Sequence, residues 1–222
     1  MPTLTRDADV FVLDLGESEN RFHPDWLAEI GQALDEVEQA TPRALVTTAT
    51  GKFYSNGLDL DWLGGHGDQL ADYVGEVQAL LARMLTFPAP TVAAIGGHAF
   101  AAGAMLALAH DFRVMRADRG YFCLPEVDIN IPFTPGMSAL IQAKLTPSAA
   151  VEAMTTGRRY GGLDAAAAGL VDAAVDQAEV LPTALDRVRP LAGKTPATLG
   201  AIKTGMFPGP LAELRRPVSL LG

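Results

Sequence analysis

A single carboxylate, Glu126, lies in an apolar stretch of the sequence where a solvated charge is not expected. The stretch reads CLPEVDINIPFTPG over residues 123–136, and it also contains Asp128. A carboxylate in such a setting is exposed, paired or functional, because a charge costs free energy wherever water is excluded. If Glu126 is buried, its apolar neighbours raise its pKa and make it a better base toward a carbon acid. Asp128 is expected to be a surface or loop-capping residue.

Two other segments share a layout that could stabilise negative charge on a ligand. In LVTTATGKFYSNGLDLDWL (45–63) and in TVAAIGGHAFAAGAMLALAHD (91–111), a strand pattern leads through a glycine-containing loop into a helix pattern. The loops end in the small-residue turns Asn56-Gly57-Leu58 and Ala102-Gly103-Ala104. Free N–H groups at such turns carry partial positive charge, so two converging turns would form an oxyanion hole. Taken singly, each turn also fits an ordinary strand–helix connection.

Several other kinds of site find no support in the sequence. There is no phosphate loop, no dinucleotide fingerprint and no hydrolase nucleophile elbow. The single cysteine, Cys123, excludes an internal disulfide and a cysteine-based zinc site. No metal site is predicted, because the histidines lack the spacing of ligands and are interpreted as surface or hydrogen-bonding residues: His23, His66, His98 and His110.

Charge and hydropathy limit the partners and the location. The net charge of −9 disfavours general binding to nucleic acid or to anionic membranes. No apolar run reaches the roughly 20 residues of a membrane span. Neither a signal peptide nor a peroxisomal address is visible in the sequence, so a cytoplasmic location is expected.

The elements that must position these residues alternate between strand and helix patterns. Strands are predicted at 8–16, 43–50 and 90–97, with two short ones within 113–127. Helices are predicted at 23–40, 70–88, 101–112, 135–145, 146–157, 163–175 and 179–193. The proline-bearing residues 194–222 are expected to hold only short helices. This order predicts an α/β fold with a mostly parallel sheet in one substantial domain.

Three runs of sequence, in order, resemble the crotonase superfamily, that is, the enoyl-CoA hydratase/isomerase fold. They are GKFYSNGLDLDWL, PTVAAIGGHAFAAGAMLALAHDFRVM and FCLPEVDINIPFTPGMSALIQAKL. The resemblance covers roughly residues 8–180 and is greatest to the Δ3,Δ2-enoyl-CoA isomerases. It implies a crotonase-like ββα spiral core over 1–190 and a helical C-terminal segment over 191–222. It also implies a homotrimer, or a hexamer of two trimers, assembled through the C-terminal helices.

The resemblance assigns roles to residues of the three motifs. The N–H groups of Leu58 and Gly103 are expected to hold the thioester oxygen of the substrate. Glu126 matches the catalytic glutamate that the isomerases of the family keep. The additional glutamate of the hydratases falls at Met105, which cannot exchange protons.

Other positions are expected to contact parts of an acyl-CoA substrate. Arg21 lies where the family often contacts the CoA phosphates, although a surface arginine fits equally well. Main-chain groups around the first turn are expected near the CoA adenine: Tyr54, Ser55, Asn56 and Gly57. Three aromatic residues are candidates for the acyl pocket, with core packing as the alternative: Trp62, Phe100 and Phe133.

The function implied is isomerisation of a 3-enoyl-CoA to the 2-trans-enoyl-CoA by one glutamate that moves a proton. The alternatives are an enoyl-CoA hydratase or another crotonase-type thioester enzyme, and a non-catalytic acyl-CoA-binding protein. Coenzyme A is part of the substrate, and no separate cofactor is expected.

Overall fold

The computed structural model describes residues 1–41 and 43–218, which contain two β-sheets surrounded by helices. The strands are β1 Thr3–Asp7, β2 Val10–Asp14, β3 Ala44–Thr48, β4 Phe53–Ser55, β5 Thr91–Ile95, β6 His98–Phe100, β7 Phe112–Arg116, β8 Phe122–Cys123 and β9 Ala173–Val175. The helices are α1 Pro24–Gln39, α2 Leu60–Gly64, α3 Leu70–Leu85, α4 Ala102–Ala109, α5 Pro135–Lys144, α6 Pro147–Thr156, α7 Gly162–Ala167, α8 Gln177–Val188, α9 Pro196–Met206 and α10 Pro208–Leu214.

The sheets confirm the predicted α/β architecture. The large sheet has the order β1-β2-β3-β5-β7-β9, and the small sheet has the order β4-β6-β8. Every pair of neighbouring strands is parallel except β1 and β2. The chain alternates between the sheets, so the loops after β4 and β6 come to lie side by side.

One helix prediction was wrong in its second half. The alanine-rich residues 163–175 favour a helix by composition, yet α7 ends at Ala167 and β9 begins at Ala173. Gly169 adopts a left-handed φ of 75°, which ends the helical path. The residues of β9 then pair with β7 in parallel, so tertiary pairing overrides helix propensity.

The C-terminal helices pack against the rest of the fold. Helix α10 lies against α3 and α5, where it buries Leu211 and Leu214. The Nε2 of Gln78 in α3 donates to the carbonyl of Leu214 at 3.4 Å. The predicted C-terminal segment extends to residue 222, and residues 219–222 lie outside the described part of the chain. In the described part, no helix combines the length and hydropathy needed to span a bilayer.

Candidate active site

A cavity of about 310 Å³, here named the central cavity, brings the three sequence motifs together. Leu58 comes from the loop after β4, Met105 from α4 and Glu126 from the loop after β8. Its complete lining is Arg21, Asn56, Leu58, Leu60, Asp61, Phe100, Ala101, Ala102, Met105, Pro125, Glu126, Ile129, Ile131, Pro132, Phe133 and Met137. Most of these side chains are apolar, which suits a hydrocarbon chain.

The two glycine turns converge at this cavity. A Cβ placed on Gly57 would lie 2.8 Å from the backbone N of Ala102, and one placed on Gly103 would overlap the carbonyl oxygen of Ser55. Gly57 also has a φ of 79°, which side-chain-bearing residues rarely adopt. Glycine at both positions therefore allows the loop after β4 to lie directly against the start of α4.

The backbone around these turns leaves N–H groups available. Within residues 1–41 and 43–218, no hydrogen bond uses the N–H of Leu58. Gly103 is the second residue of α4, so its N–H has no acceptor one turn earlier in the helix. Ala101, which precedes α4, has a φ of 50° and a ψ of −128°, a conformation that costs a non-glycine residue about 1–3 kcal/mol. The turn is thus held in a strained shape by its surroundings.

Glu126 is buried, and no cationic side chain of residues 1–41 and 43–218 forms an ion pair with it. It is 6% exposed, and its Oε2 has no hydrogen-bond partner among the described residues. Burial raises the pKa of Glu126 from 4.5 to about 7, against a smaller lowering by a backbone hydrogen bond. A carboxyl of this kind can both take and return a proton near neutral pH. Asp128, two residues later, is exposed.

Met105 lines the central cavity together with Glu126, and it is 1% exposed. Its thioether carries no exchangeable proton and cannot hold or orient a hydroxide. Glu126 is therefore the buried acid–base group among the cavity-lining residues.

Arg21 lies at the edge of the cavity, surrounded by carboxylates. Its Nε donates to Glu19 at 2.6 Å, its Nη1 donates to Asp61, and Asp59 lies 3.6 Å away. These hydrogen bonds, first to Asp61 and then to Glu19, raise the pKa of Arg21 further above its ordinary value. Asn56 extends the cluster by donating its Nδ2 to Glu19 at 3.1 Å. The cavity edge is therefore acidic overall.

The remaining predicted contacts fall into two groups. Phe100 and Phe133 line the central cavity, whereas Trp62 lines a neighbouring open depression and stacks on His66 with ring centroids 4.3 Å apart. The side chains of Tyr54 and Ser55 are fully buried beneath the first turn. The hydroxyl of Ser55 accepts a hydrogen bond from the N–H of Gly57 at 3.1 Å and so shapes that turn.

A buried chain of hydrogen bonds links the elements that carry the two turns. The Nδ1 of His110 lies 2.8 Å from the carbonyl of Leu106, an acceptor, so Nδ1 carries the proton. Burial lowers the pKa of His110 to about 3, so its Nε2 is an acceptor for the Thr47 hydroxyl at 2.8 Å. The hydroxyl of Tyr54 then donates to Thr47 at 2.7 Å. Helix α4 is in this way connected through β3 to β4.

The sequence-based prediction did not identify several lining residues of the cavity. Ile129, Ile131 and Met137 follow Glu126 in the loop and the first turn of α5. The available signal was the run of apolar residues between Glu126 and Pro135, because exposed loops are rarely so apolar. Within the described ranges, no group of three or more His, Cys, Asp or Glu side chains is placed to hold a metal ion.

Comparisons with known proteins identify the family of this chain. The family model described as enoyl-CoA hydratase/isomerase matches residues 6–209. Enoyl-CoA delta isomerase 2, peroxisomal, of Arabidopsis thaliana is 41% identical over 189 residues, covering 81% of this chain and 79% of that protein.

Solved structures show the same fold. A probable enoyl-CoA hydratase of Mycobacterium tuberculosis is 27% identical with a TM-score of 0.90, covering 97% of this chain and 92% of that one. The human mitochondrial delta3-delta2-enoyl-CoA isomerase, at 24% identity, has a TM-score of 0.89 over 96% of this chain and 85% of its own. The predicted crotonase-like fold is confirmed. The chain belongs to the enoyl-CoA hydratase/isomerase family and is an enzyme with isomerase- or hydratase-type acyl-CoA activity.

Proposed function

We propose that this enzyme isomerises 3-enoyl-CoA thioesters to 2-trans-enoyl-CoA, with Glu126 as the group that moves the proton. The observation that carries the proposal is a buried carboxyl in a mostly apolar cavity at which the two backbone turns converge. The Oε2 of this carboxyl has no hydrogen-bond partner in the part of the chain that the structure describes. The Arabidopsis relative is described as an enoyl-CoA delta isomerase, which supports the same reaction class.

The first step is removal of a proton from C2 by the Glu126 carboxylate. The electron pair of the C2–H bond delocalises onto the thioester oxygen, and a dienolate forms. The N–H groups of Leu58 and Gly103 would donate to that oxygen, where each such donor is worth about 3–4 kcal/mol. Protonated Glu126 then returns the proton to C4, and the double bond moves from C3–C4 to C2–C3. No proton is gained or lost overall.

Met105 favours isomerisation over hydration. Adding water to a 2-enoyl thioester requires a second group that activates and positions the water. The position that carries this glutamate in hydratases is occupied by buried Met105. We therefore expect hydration of 2-enoyl-CoA to be far slower than isomerisation of 3-enoyl-CoA.

The test is a direct assay of 3-enoyl-CoA turnover, followed by the absorbance of the conjugated product. The parent enzyme is expected to turn over, and Glu126→Gln is expected to lose about 10²–10⁴-fold in kcat. The matched control is Asp128→Asn, which removes an exposed carboxylate two residues away and is expected to stay within twofold of the parent. A Glu126→Gln variant as fast as the parent would remove Glu126 from the mechanism. Thioester binding without turnover of 3-enoyl-CoA would refute the isomerase proposal and favour another acyl-CoA reaction of the family.

A further inference from the structure

The oxyanion hole proposed above depends on the direction in which the N–H of Leu58 points. A donor helps only if it is aimed at the place where the negative charge develops, and a misplacement of about 1 Å can cost roughly 10²-fold in rate. Leu58 lies in the loop between β4 and α2. Since no ladder of helix or strand hydrogen bonds fixes its backbone there, the contacts of the neighbouring peptide groups must do so.

The peptide group that carries this N–H is held by the loop after β2. The carbonyl of Gly57 accepts a hydrogen bond from the N–H of Phe22 at 2.8 Å. A trans peptide group is planar, so its C=O and N–H point in opposite directions. Fixing the carbonyl of Gly57 therefore aims the N–H of Leu58 away from Phe22.

The next peptide group is held by a tyrosine of α3. The N–H of Asp59 donates to the hydroxyl oxygen of Tyr73 at 2.9 Å. Tyr73 is 2% exposed, and its ring lies against that of Trp62 in α2 with the centroids 5.2 Å apart. Burial raises the pKa of the Tyr73 hydroxyl to about 12, so the group stays protonated at neutral pH. The acceptor for Asp59 is thus a buried and uncharged group on a long helix.

Leu58 lies between these two peptide groups, and the nearby carbonyls are engaged as well. Its own carbonyl accepts from the N–H of Leu60 at 3.1 Å, and that of Asp59 accepts from the N–H of Leu63 at 3.0 Å. Among the described residues, the N–H of Leu58 is the backbone group of 57–59 that has no partner. The contacts on both sides of it therefore present this donor to a ligand.

We propose that Tyr73 is a positioning residue of the oxyanion hole, which acts through the peptide group of Asp59 to aim the N–H of Leu58 at the thioester oxygen. The inference rests on the proposed function, because it assumes a thioester bound beside Leu58 and Glu126. Tyr73 lies outside the lining of the central cavity, so it acts on the loop and not on the substrate. Without its hydroxyl, the N–H of Asp59 turns toward another acceptor and rotates Leu58 with it.

The test is Tyr73→Phe, which removes the hydroxyl and keeps the buried ring. We would measure kcat on a 3-enoyl-CoA and the infrared carbonyl stretch of bound hexanoyl-CoA labelled with carbon-13 at the thioester carbonyl. Donors aimed at the oxygen polarise this carbonyl, so its frequency in the parent enzyme should be lower than in water. The variant is expected to lose at least about half of that shift and about 10–100-fold in kcat. Its Kd for hexanoyl-CoA should stay close to that of the parent, because the acyl chain and coenzyme A keep their contacts.

The matched control is Tyr121→Phe, the same substitution at a tyrosine that is 42% exposed and lies outside the central cavity. It is expected to keep the carbonyl frequency and the kcat of the parent. Hydrogen exchange over residues 56–63, followed by mass spectrometry, gives a second measurement. The amide of Asp59 should exchange faster in Tyr73→Phe than in the parent and in the control, because it has lost its acceptor.

The outcomes separate a positioning role from a structural one and from the proposed reaction. A Tyr73→Phe variant with a lower melting temperature but an unchanged carbonyl frequency would overturn the inference, whatever its kcat. The expected change in frequency without isomerisation of 3-enoyl-CoA by the parent would support the positioning role and refute the proposed reaction. A thioester whose carbonyl absorbs in the parent as it does in water would refute the oxyanion hole and this inference with it.

Discussion

The surroundings of Glu126 determine the pH range in which the proposed reaction runs. Its pKa of about 7 means that the carboxylate needed to take the C2 proton forms only as the pH rises through neutrality. We therefore expect kcat/KM, which reports the free enzyme, to rise tenfold per pH unit below about pH 7 and to level off above it. A pH–rate profile on a 3-enoyl-CoA checks this. A profile that is flat from pH 5 to 8 would contradict it.

The same residue is expected to make stability depend on pH. The pKa is higher in the folded state than in the unfolded chain, so Glu126 stabilises the fold below about pH 4.5, and this contribution is lost as the pH rises through 7. Glu126→Gln carries no such titration. Between pH 4 and pH 8, the free energy of unfolding of the parent should therefore fall by up to about 3 kcal/mol relative to that of Glu126→Gln.

Urea unfolding of both proteins at the two pH values measures this difference. A difference in unfolding free energy that stays constant with pH would show that Glu126 is better solvated than its 6% exposure indicates.

At the residue scale, the sequence predicted which residues come together at the central cavity better than it predicted their environment. Glu126, Leu58 and Met105 were each singled out, and the structure places all three at the central cavity. The burial of Glu126 could not be predicted from the sequence, because it depends on α5 and the apolar loop folding over this residue. The carboxylates around Arg21 were missed, since Asp61 lies 40 residues further along the chain.

At the scale of elements, most helices were predicted from their periodicity, whereas the short strands β4 and β6 were not predicted. Helix α1 begins at Pro24 and buries Trp26, Ile30 and Leu34 on one face, as its spacing predicts. Strands β4 and β6 are only three residues long, too short for a pattern of alternation to be recognised. They exist because β4, β6 and β8 pair with one another, which is a long-range event.

The hydrogen-bonded chain from Tyr54 through Thr47 to His110 is expected to stabilise the arrangement of the two turns. Thr47→Val keeps the shape of the side chain but leaves the Tyr54 hydroxyl and the His110 Nε2 without their partner. The expected cost is about 1–3 kcal/mol for each buried group, seen as a fall in the melting temperature and in kcat.

Thr47→Ser retains the hydroxyl and serves as the control. Tyr54→Phe added to Thr47→Val should cost little more than Thr47→Val alone, because the two changes remove one shared interaction. Fully additive losses would show that the chain does not act as a unit.

At the scale of the whole molecule, a buried lysine connects the C-terminal helices to the large sheet. The Nζ of Lys203 in α9 lies 2.6 Å from Asp111 and donates to the carbonyls of Phe87 and Ala89 at 3.0 and 2.8 Å. Lys203→Met removes the ion-pair partner of Asp111 and the donor to the two carbonyls, which together is expected to cost about 3–5 kcal/mol. For a chain of this size, that corresponds to a fall of roughly 6–20 °C in the melting temperature.

Lys194→Met, at an exposed position just before α9, is the matched control and is expected to leave the melting temperature nearly unchanged. Equal melting temperatures for the two variants would show that the C-terminal helices do not depend on the Lys203 contact.

The acidic cavity edge has a consequence for how fast the enzyme meets its substrate. Glu19, Asp59 and Asp61 outnumber Arg21, and the whole chain carries a net charge of −9, while coenzyme A is itself polyanionic. Long-range repulsion should slow the diffusional encounter of enzyme and substrate. Dissolved electrolyte screens this repulsion, because the Debye length falls from about 10 Å at 0.1 M to 3 Å at 1 M. We therefore expect kcat/KM for acyl-CoA to rise with ionic strength. The kcat/KM for a pantetheine thioester, which lacks the nucleotide, should not change with ionic strength.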